Sequence, residues 1–157
     1  MTKTLAELAL IAATLTTGLA AGLFAAFGYA VMPGLRRVDD RSFVTTLRAI
    51  NVAIRNGWTL LILGGALLFT LVAAVLRLVA PRGTDLAWTF AALALYIAAL
   101  AITVCGNVPL NDRLAASLGD DTADRTSFER PWTRWNHLRT GTSIAAFGCL
   151  VAAVHEG

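Results

Sequence analysis

Four long apolar runs constrain this chain more than any other feature: roughly Leu5–Val31, Gly57–Val79, Leu86–Val108 and Trp135–Val154. Each approaches the ~20 residues a helix needs to cross ~30 Å of hydrocarbon. Lipid offers no water to pair with backbone N–H and C=O groups, so segments of this kind must close their hydrogen bonds internally, as helices. The expectation is an all-α fold: a four-helix transmembrane bundle, residues 1–157 forming a single membrane-embedded domain. The composition agrees. The chain is 57% hydrophobic and 15% charged, against about 25% charged in an average soluble domain. The first run carries no charge from Leu8 to Leu35, about 28 residues, whereas the apolar part of a signal peptide is about 7–15 residues long. It reads as a retained span.

Prolines sit at or beyond the ends of the first three runs: Pro33, Pro81 and Pro109. A helix can stop there without losing interior hydrogen bonds. An even number of spans puts both termini on one side. The two loops on the other side hold Arg36, Arg37, Arg41, Arg48, Arg55, Arg113, Arg125, Arg130, Arg134 and Arg139, while the terminal side holds Lys3, Arg77 and Arg82. The positive-inside rule then places the arginine-rich loops in the cytoplasm of a plasma (inner) membrane and both termini outside. The net charge of +3 is thus a topology signal, and no nucleic-acid partner is expected.

The first of these loops has structure of its own. Asp39 or Asp40 can cap a helix, and Phe43, Leu47, Ile50 and Ile54 recur at helical spacing. Arg48, Asn51 and Arg55 make a second stripe beside them. This predicts an amphipathic helix leading into the second span, with a kink at Asn56-Gly57. The third loop, Ala115–Arg130, mixes acids and bases and reads as a solvated connection without chemistry. Gly18, Gly22 and Ala26, like Gly141 and Ala145, form small-residue steps of the kind that bring helix backbones close.

The last span is the most informative. Its uncharged part, Thr140–Val154, covers about 15 residues, or ~22 Å of helix, short of the ~30 Å core. The helix must begin earlier, which draws Trp135, Asn136, His137 and Arg139 toward the membrane boundary. Asn136, Thr140 and Ser143 make one polar stripe, and Trp132, Trp135 and Arg139 another. Polar groups at such depth usually face the bundle interior. The third span ends at Asn107-Val108-Pro109-Leu110-Asn111, on the same membrane face as Asn51, Asn136 and Arg139. Metal binding is not expected. His137 and His155 lie ~27 Å apart along one helix, and no zinc, haem or nucleotide fingerprint is present. Cys105 and Cys149 differ in depth by about 15 Å of helix rise, too far for a bridge, so both should be free thiols.

At these residues the sequence resembles the anthrone oxygenase-like family of small four-helix membrane proteins. The likeness rests on Met32–Leu35, on Phe43, Arg48 and Asn51, on Asn107-Val-Pro-Leu-Asn111, and on Trp132-x-x-Trp135-Asn136-x-x-Arg139. It implies an oxygenase that oxidises an anthrone-type polycyclic aromatic to a quinone, with O2 as co-substrate and no cofactor. On that chemistry Arg139 and Arg48 suit a developing oxyanion. Asn51, Asn107, Asn111 and Asn136 suit substrate orientation, and Trp132 and Trp135 suit stacking on a flat ligand. His137 is not one of the residues that carry the resemblance, but it remains a candidate base, as does a water held by the asparagines. The expected partners are a hydrophobic aromatic small molecule and the lipid bilayer, with homo-oligomerisation left open. The alternative is a non-enzymatic membrane protein that binds a hydrophobic ligand or a partner subunit through the same polar end.

Overall fold

Why the chain turns where it does is visible in its helix ends. The computed structural model describes residues 2–79 and 85–156, which places Pro81 and Arg82 outside the described residues. Four helices are long and apolar enough to cross a membrane: α1 (Thr2–Leu35), α3 (Gly57–Val79), α4 (Asp85–Ala116) and α5 (Asp121–Glu156). A shorter helix, α2 (Asp40–Ala53), lies between α1 and α3. No strand occurs among the described residues. The protein is an all-helical integral membrane protein.

Two prolines expected to end helices do not. Proline lacks an N–H and its ring crowds the preceding turn. In α1 the backbone widens to a π turn at Phe27–Val31, where the Met32 N–H reaches back five residues to Phe27 O, and the helix then continues through Pro33. Helix α4 repeats the device: a π turn at Thr103–Asn107, the Val108 N–H bonded to Thr103 O, then Pro109. The wider turn makes room for the ring, so each helix continues past its proline.

The third loop is also shorter than expected. Most of it is the first three turns of α5, capped by Asp120, whose Oδ1 accepts from Thr122 N at 2.9 Å. The sequence hid this start because α5 there is polar on most sides and pairs with other loop residues instead of burying an apolar stripe. Helix α2 forms as expected, with Asp39 as N-cap: its Oδ1 accepts from Ser42 N at 3.0 Å and its Oδ2 from Ser42 Oγ at 2.7 Å. The Ser42 hydroxyl, with backbone N–H groups, holds the Asp39 carboxyl below its ordinary value of 3.8. The break between α2 and α3 is stitched by Asn56, which donates to Ala53 O at 2.7 Å and accepts from Thr59 N at 3.0 Å.

The helices pack antiparallel, α1 along α3 and α5, and α4 along α5. Packing at mid-depth uses small residues. Ala20, Ala66 and Ala146 surround Tyr96, whose hydroxyl donates to Leu63 O at 3.0 Å and ties α4 to α3. Gly18 belongs to this packing, facing the Phe147 ring, but Gly22, Gly141 and Ala145 do not. They lie on outward faces, because the inward stripe of α5 runs through Ser143, Ala146, Leu150 and Ala153. Leu15, Leu19, Leu61, Leu68 and Val79 point outwards, where lipid would meet them. At the terminal end Arg77 is buried and paired with buried Asp85. Arg77 is therefore not a free loop charge, and Asp85 joins Glu7 as an acid within a long helix.

The loop face is an ionic clamp over an aromatic core. Arg125 bonds Asp40 at 2.9 Å and Glu129 at 3.1 Å. Arg36 reaches the same Glu129 at 2.7 Å. Beneath them Phe43, Val44, Leu47, Phe128 and Trp132 pack with Phe27 and Met32.

Candidate functional site

Under this clamp a cavity of about 550 Å³ opens among α1, the α2–α3 break, α4 and α5. Its walls are largely apolar: Leu23, Phe24 and Phe27 from α1, Ile54, Leu60 and Leu63 from the α2–α3 side, and Thr103 and Val108 from α4. The polar lining is Asn51, Arg55, Asn56, Thr59, Asn111, Asp112 and Arg139, and Trp132 supplies an indole.

Arg139 defines the floor. It is 7% exposed, deep enough that an uncompensated charge would be costly. No carboxylate pairs with it among the described residues. Its charge is met by dipoles and aromatic faces instead. Nε and Nη2 donate to Asn136 Oδ1 at 3.0 and 2.8 Å. The guanidinium carbon lies 4.3 Å from the Phe24 ring centroid and 5.3 Å from that of Trp132, within cation–π range. Nη1 has no hydrogen-bond partner among the described residues. A cation held this way, facing an apolar cavity, is suited to stabilise an anionic oxygen.

Trp132 is fixed from several sides. Its Nε1 donates to Asn111 Oδ1 at 2.8 Å, and its carbonyl accepts from Asn107 Nδ2 at 3.1 Å. Its ring lies 5.7 Å from Phe27 and is stacked on Phe128 at 5.9 Å. The column continues through Phe43, 6.4 Å from Phe128, to the Arg125 guanidinium 4.7 Å from Phe43. A continuous aromatic support thus runs from the cavity floor to the clamp.

Of the nine residues the sequence offers as site residues, Asn51, Asn111, Trp132 and Arg139 line the cavity. Asn107 and Asn136 stand behind them, fully buried, and their amides hold protein groups: Asn107 the Trp132 carbonyl, Asn136 the Phe24 carbonyl (3.1 Å) and Arg139. The other three are elsewhere. Arg48 points into the clamp, donating to Leu114 O at 2.8 Å and Ser117 O at 2.6 Å and pairing with Asp124 at 3.3 Å. It does not line the cavity, whereas Arg55, one turn past Asn51 on the same stripe, does. His137 is exposed on the outer face beside Gly28. Trp135 is 38% exposed. It covers Gly106 and borders a separate outer hollow with Arg130 and Arg134. The expected stripe Trp132–Trp135–Arg139 therefore splits: positions 132 and 139 share a face, and 135 does not.

Phe24, Phe27, Arg55 and Asp112 were not legible as site residues. The phenylalanines look like ordinary span residues, and Asp112 like one more loop acid. The available signal was adjacency: Asp112 follows Asn111 on the turn that leaves the Asn107–Pro109 segment. Among the described residues no three of His, Cys, Asp and Glu gather in one place. Cys105 and Cys149 are free thiols, as expected.

Fold and site together define a helical membrane protein with an aromatic, cation-floored cavity at one end of its bundle. The family model for anthrone oxygenase matches residues 56–149, more than half of the chain. The chain belongs to the anthrone oxygenase family. The matched stretch contains Asn107, Asn111, Trp132, Asn136 and Arg139. No curated protein and no solved structure matches the chain.

Proposed function

We propose that this protein is a membrane oxygenase that oxidises an anthrone-type polycyclic aromatic with O2 to the quinone, without a resident cofactor. The observation that carries the reading is Arg139: a buried guanidinium without a counter-ion among the described residues, stacked on Phe24 and Trp132 and facing an apolar cavity. The volume of about 550 Å³ falls within the ~300–1,000 Å³ typical of small-molecule sites. Membership of the anthrone oxygenase family supplies the reaction type; the residues supply a mechanism.

A flat tricyclic ketone would lie against Phe27 and Trp132 with its oxygen toward Arg139. Loss of a methylene proton leaves an anthrolate whose charge resides largely on that oxygen, and the cation beneath it stabilises this electron-rich form over the neutral ketone. The anthrolate gives an electron to O2, and the resulting pair couples to a hydroperoxide that loses water. Asn136 and Asn107 work from behind, fixing Arg139 and Trp132. In this reading the cavity faces the cytoplasmic side of the plasma (inner) membrane and the termini lie outside, a proposal supported by the positive-inside rule applied to the arginine-rich loops.

The test is aerobic incubation of the purified protein with anthrone, following quinone absorbance, with metal analysis of the same sample. Turnover above the spontaneous rate is expected. Arg139→Ala should abolish it with the fold retained, and Asn107→Ala should reduce it, since one oriented buried hydrogen bond is worth about 1 kcal/mol or more. No turnover across several polycyclic substrates would favour a ligand-binding protein, and stoichiometric copper or iron would overturn the cofactor-free mechanism.

A further inference from the structure

An oxidation that begins with loss of a C–H proton needs an acceptor, and neither His137 nor Arg48 reaches the cavity. The lining contains one carboxylate, Asp112. We propose that Asp112 is the proton acceptor of the reaction, an inference that rests on the oxygenase reading above.

Among the described residues Asp112 differs from most acids of the loop face in having no partner, and from Asp121, which also has none, in lining the cavity. Asp40 is paired with Arg125, Asp124 with Arg48, and Glu129 with Arg36 and Arg125. Asp112 takes part in none of these pairs, and it accepts no hydrogen bond among the described residues. Its place in the chain is nonetheless fixed: it follows Asn111, whose amide oxygen holds the Trp132 indole at 2.8 Å. Its position in the cavity is also distinctive. Arg139 is buried at the floor, whereas Asp112 is exposed, as are Arg55 and Asn56 of the same lining. Arg55 and Arg139 are the other charged groups that line the cavity. A substrate filling the cavity would meet a buried cation, suited to its oxygen, and an exposed carboxylate, suited to its C–H edge. The destinations of the electron pair and the proton are thus separated, as enolisation of a ketone requires.

The steps balance. The methylene C–H bond breaks, its proton passes to the Asp112 carboxylate, and the electron pair enters the ring system as anthrolate over Arg139. After O2 has taken an electron and coupled at that carbon, Asp112 returns the proton to the peroxide oxygen. It then takes the second methylene proton as the O–O bond breaks and hydroxide leaves. Hydroxide receives that proton. The net change is anthrone plus O2 to anthraquinone plus water.

The experiment separates proton transfer from oxygen chemistry. Under anaerobic conditions in deuterated buffer, the wild-type protein should exchange the methylene hydrogens of anthrone faster than buffer alone. Asp112→Asn should lose this exchange and aerobic turnover by about 100-fold or more, the usual scale of general-base catalysis, while still binding anthrone, as read by tryptophan quenching. Asp112→Ala should recover exchange on addition of formate, which a purely structural role would not produce. The proposal is overturned if either variant exchanges within about threefold of wild type without formate, or if the wild type turns over in air but does not exchange. Wild-type protein that neither exchanges nor turns over removes the oxygenase reading itself, and this one with it.

Discussion

Two N–H groups of Arg139 converge on a single oxygen of Asn136, at 3.0 and 2.8 Å. An amide oxygen orients the guanidinium but leaves its charge whole, and a carboxylate in its place would not. Asn136→Asp should therefore neutralise the floor of the cavity with almost no change in shape. Turnover of anthrone should fall by roughly 100-fold, the scale of removing one oxyanion donor, and thermal stability in detergent should fall as well, because a carboxylate cannot donate the hydrogen bond that Asn136 Nδ2 gives Phe24 O. Wild-type turnover in this variant would show that the charge of Arg139 is not used.

Gly106 lies in the π turn of α4 under the Trp135 indole, and a methyl group there would overlap the ring. Gly106→Ala should cost about 1–3 kcal/mol of stability, the usual range for overpacking. Trp135→Ala should cancel most of that loss in the double variant. A thermal melt of the four proteins in one detergent checks this, and additive losses would contradict the contact.

Arg48 binds two carbonyls and Asp124 of the clamp and does not line the cavity. Arg48→Ala should lower thermal stability, by about 1.5–3 kcal/mol for charge-assisted bonds of this kind, while KM for anthrone stays near wild type. A raised KM at unchanged stability would return Arg48 to the site.

Asp39 makes the start of α2 sensitive to acid. Its carboxyl is held below the ordinary value of 3.8 by the Ser42 hydroxyl and backbone N–H groups. A depressed carboxylate contributes its stability in full above the unfolded value and loses it as pH falls through the native one. Melting temperature should therefore drop below about pH 4, and Asp39→Ala should flatten that part of the profile. An unchanged profile in the variant would assign the acid sensitivity to other groups.

Orientation can be read in cells. With the arginine-rich loops in the cytoplasm, a cytoplasm-only fluorescent reporter fused to the C-terminus should be dark. A bright fusion would reverse the assignment and move the cavity to the other membrane face.

Much of the fold was legible because lipid permits so few solutions. Gly57–Val79 is a helix over the very range its apolar run marks, and the Asp39 cap and Phe43–Leu47 spacing announced α2. Pro33 and Pro109 misled because a helix can stop at a proline, widen by one residue ahead of it, or run through it as α5 does at Pro131, and local sequence does not choose among these. The beginning of α5 was hidden for a related reason: its partners, Asp40 and Arg36, lie far away in the chain.

Hydropathy along the chain was enough to reveal the four spans, their helical state and the end of the bundle that carries the polar groups. These follow from hydropathy and from the backbone's need to bond itself in lipid. Tertiary structure alone decided which of those groups meet. Trp132 and Arg139 turn inward while Trp135 and His137 turn outward, because the register of α5 against α1, set by Asn136 on Phe24 O and Phe147 over Gly18, selects one face of the helix. It also brought Asp112, Asn111's neighbour in the chain, into the cavity.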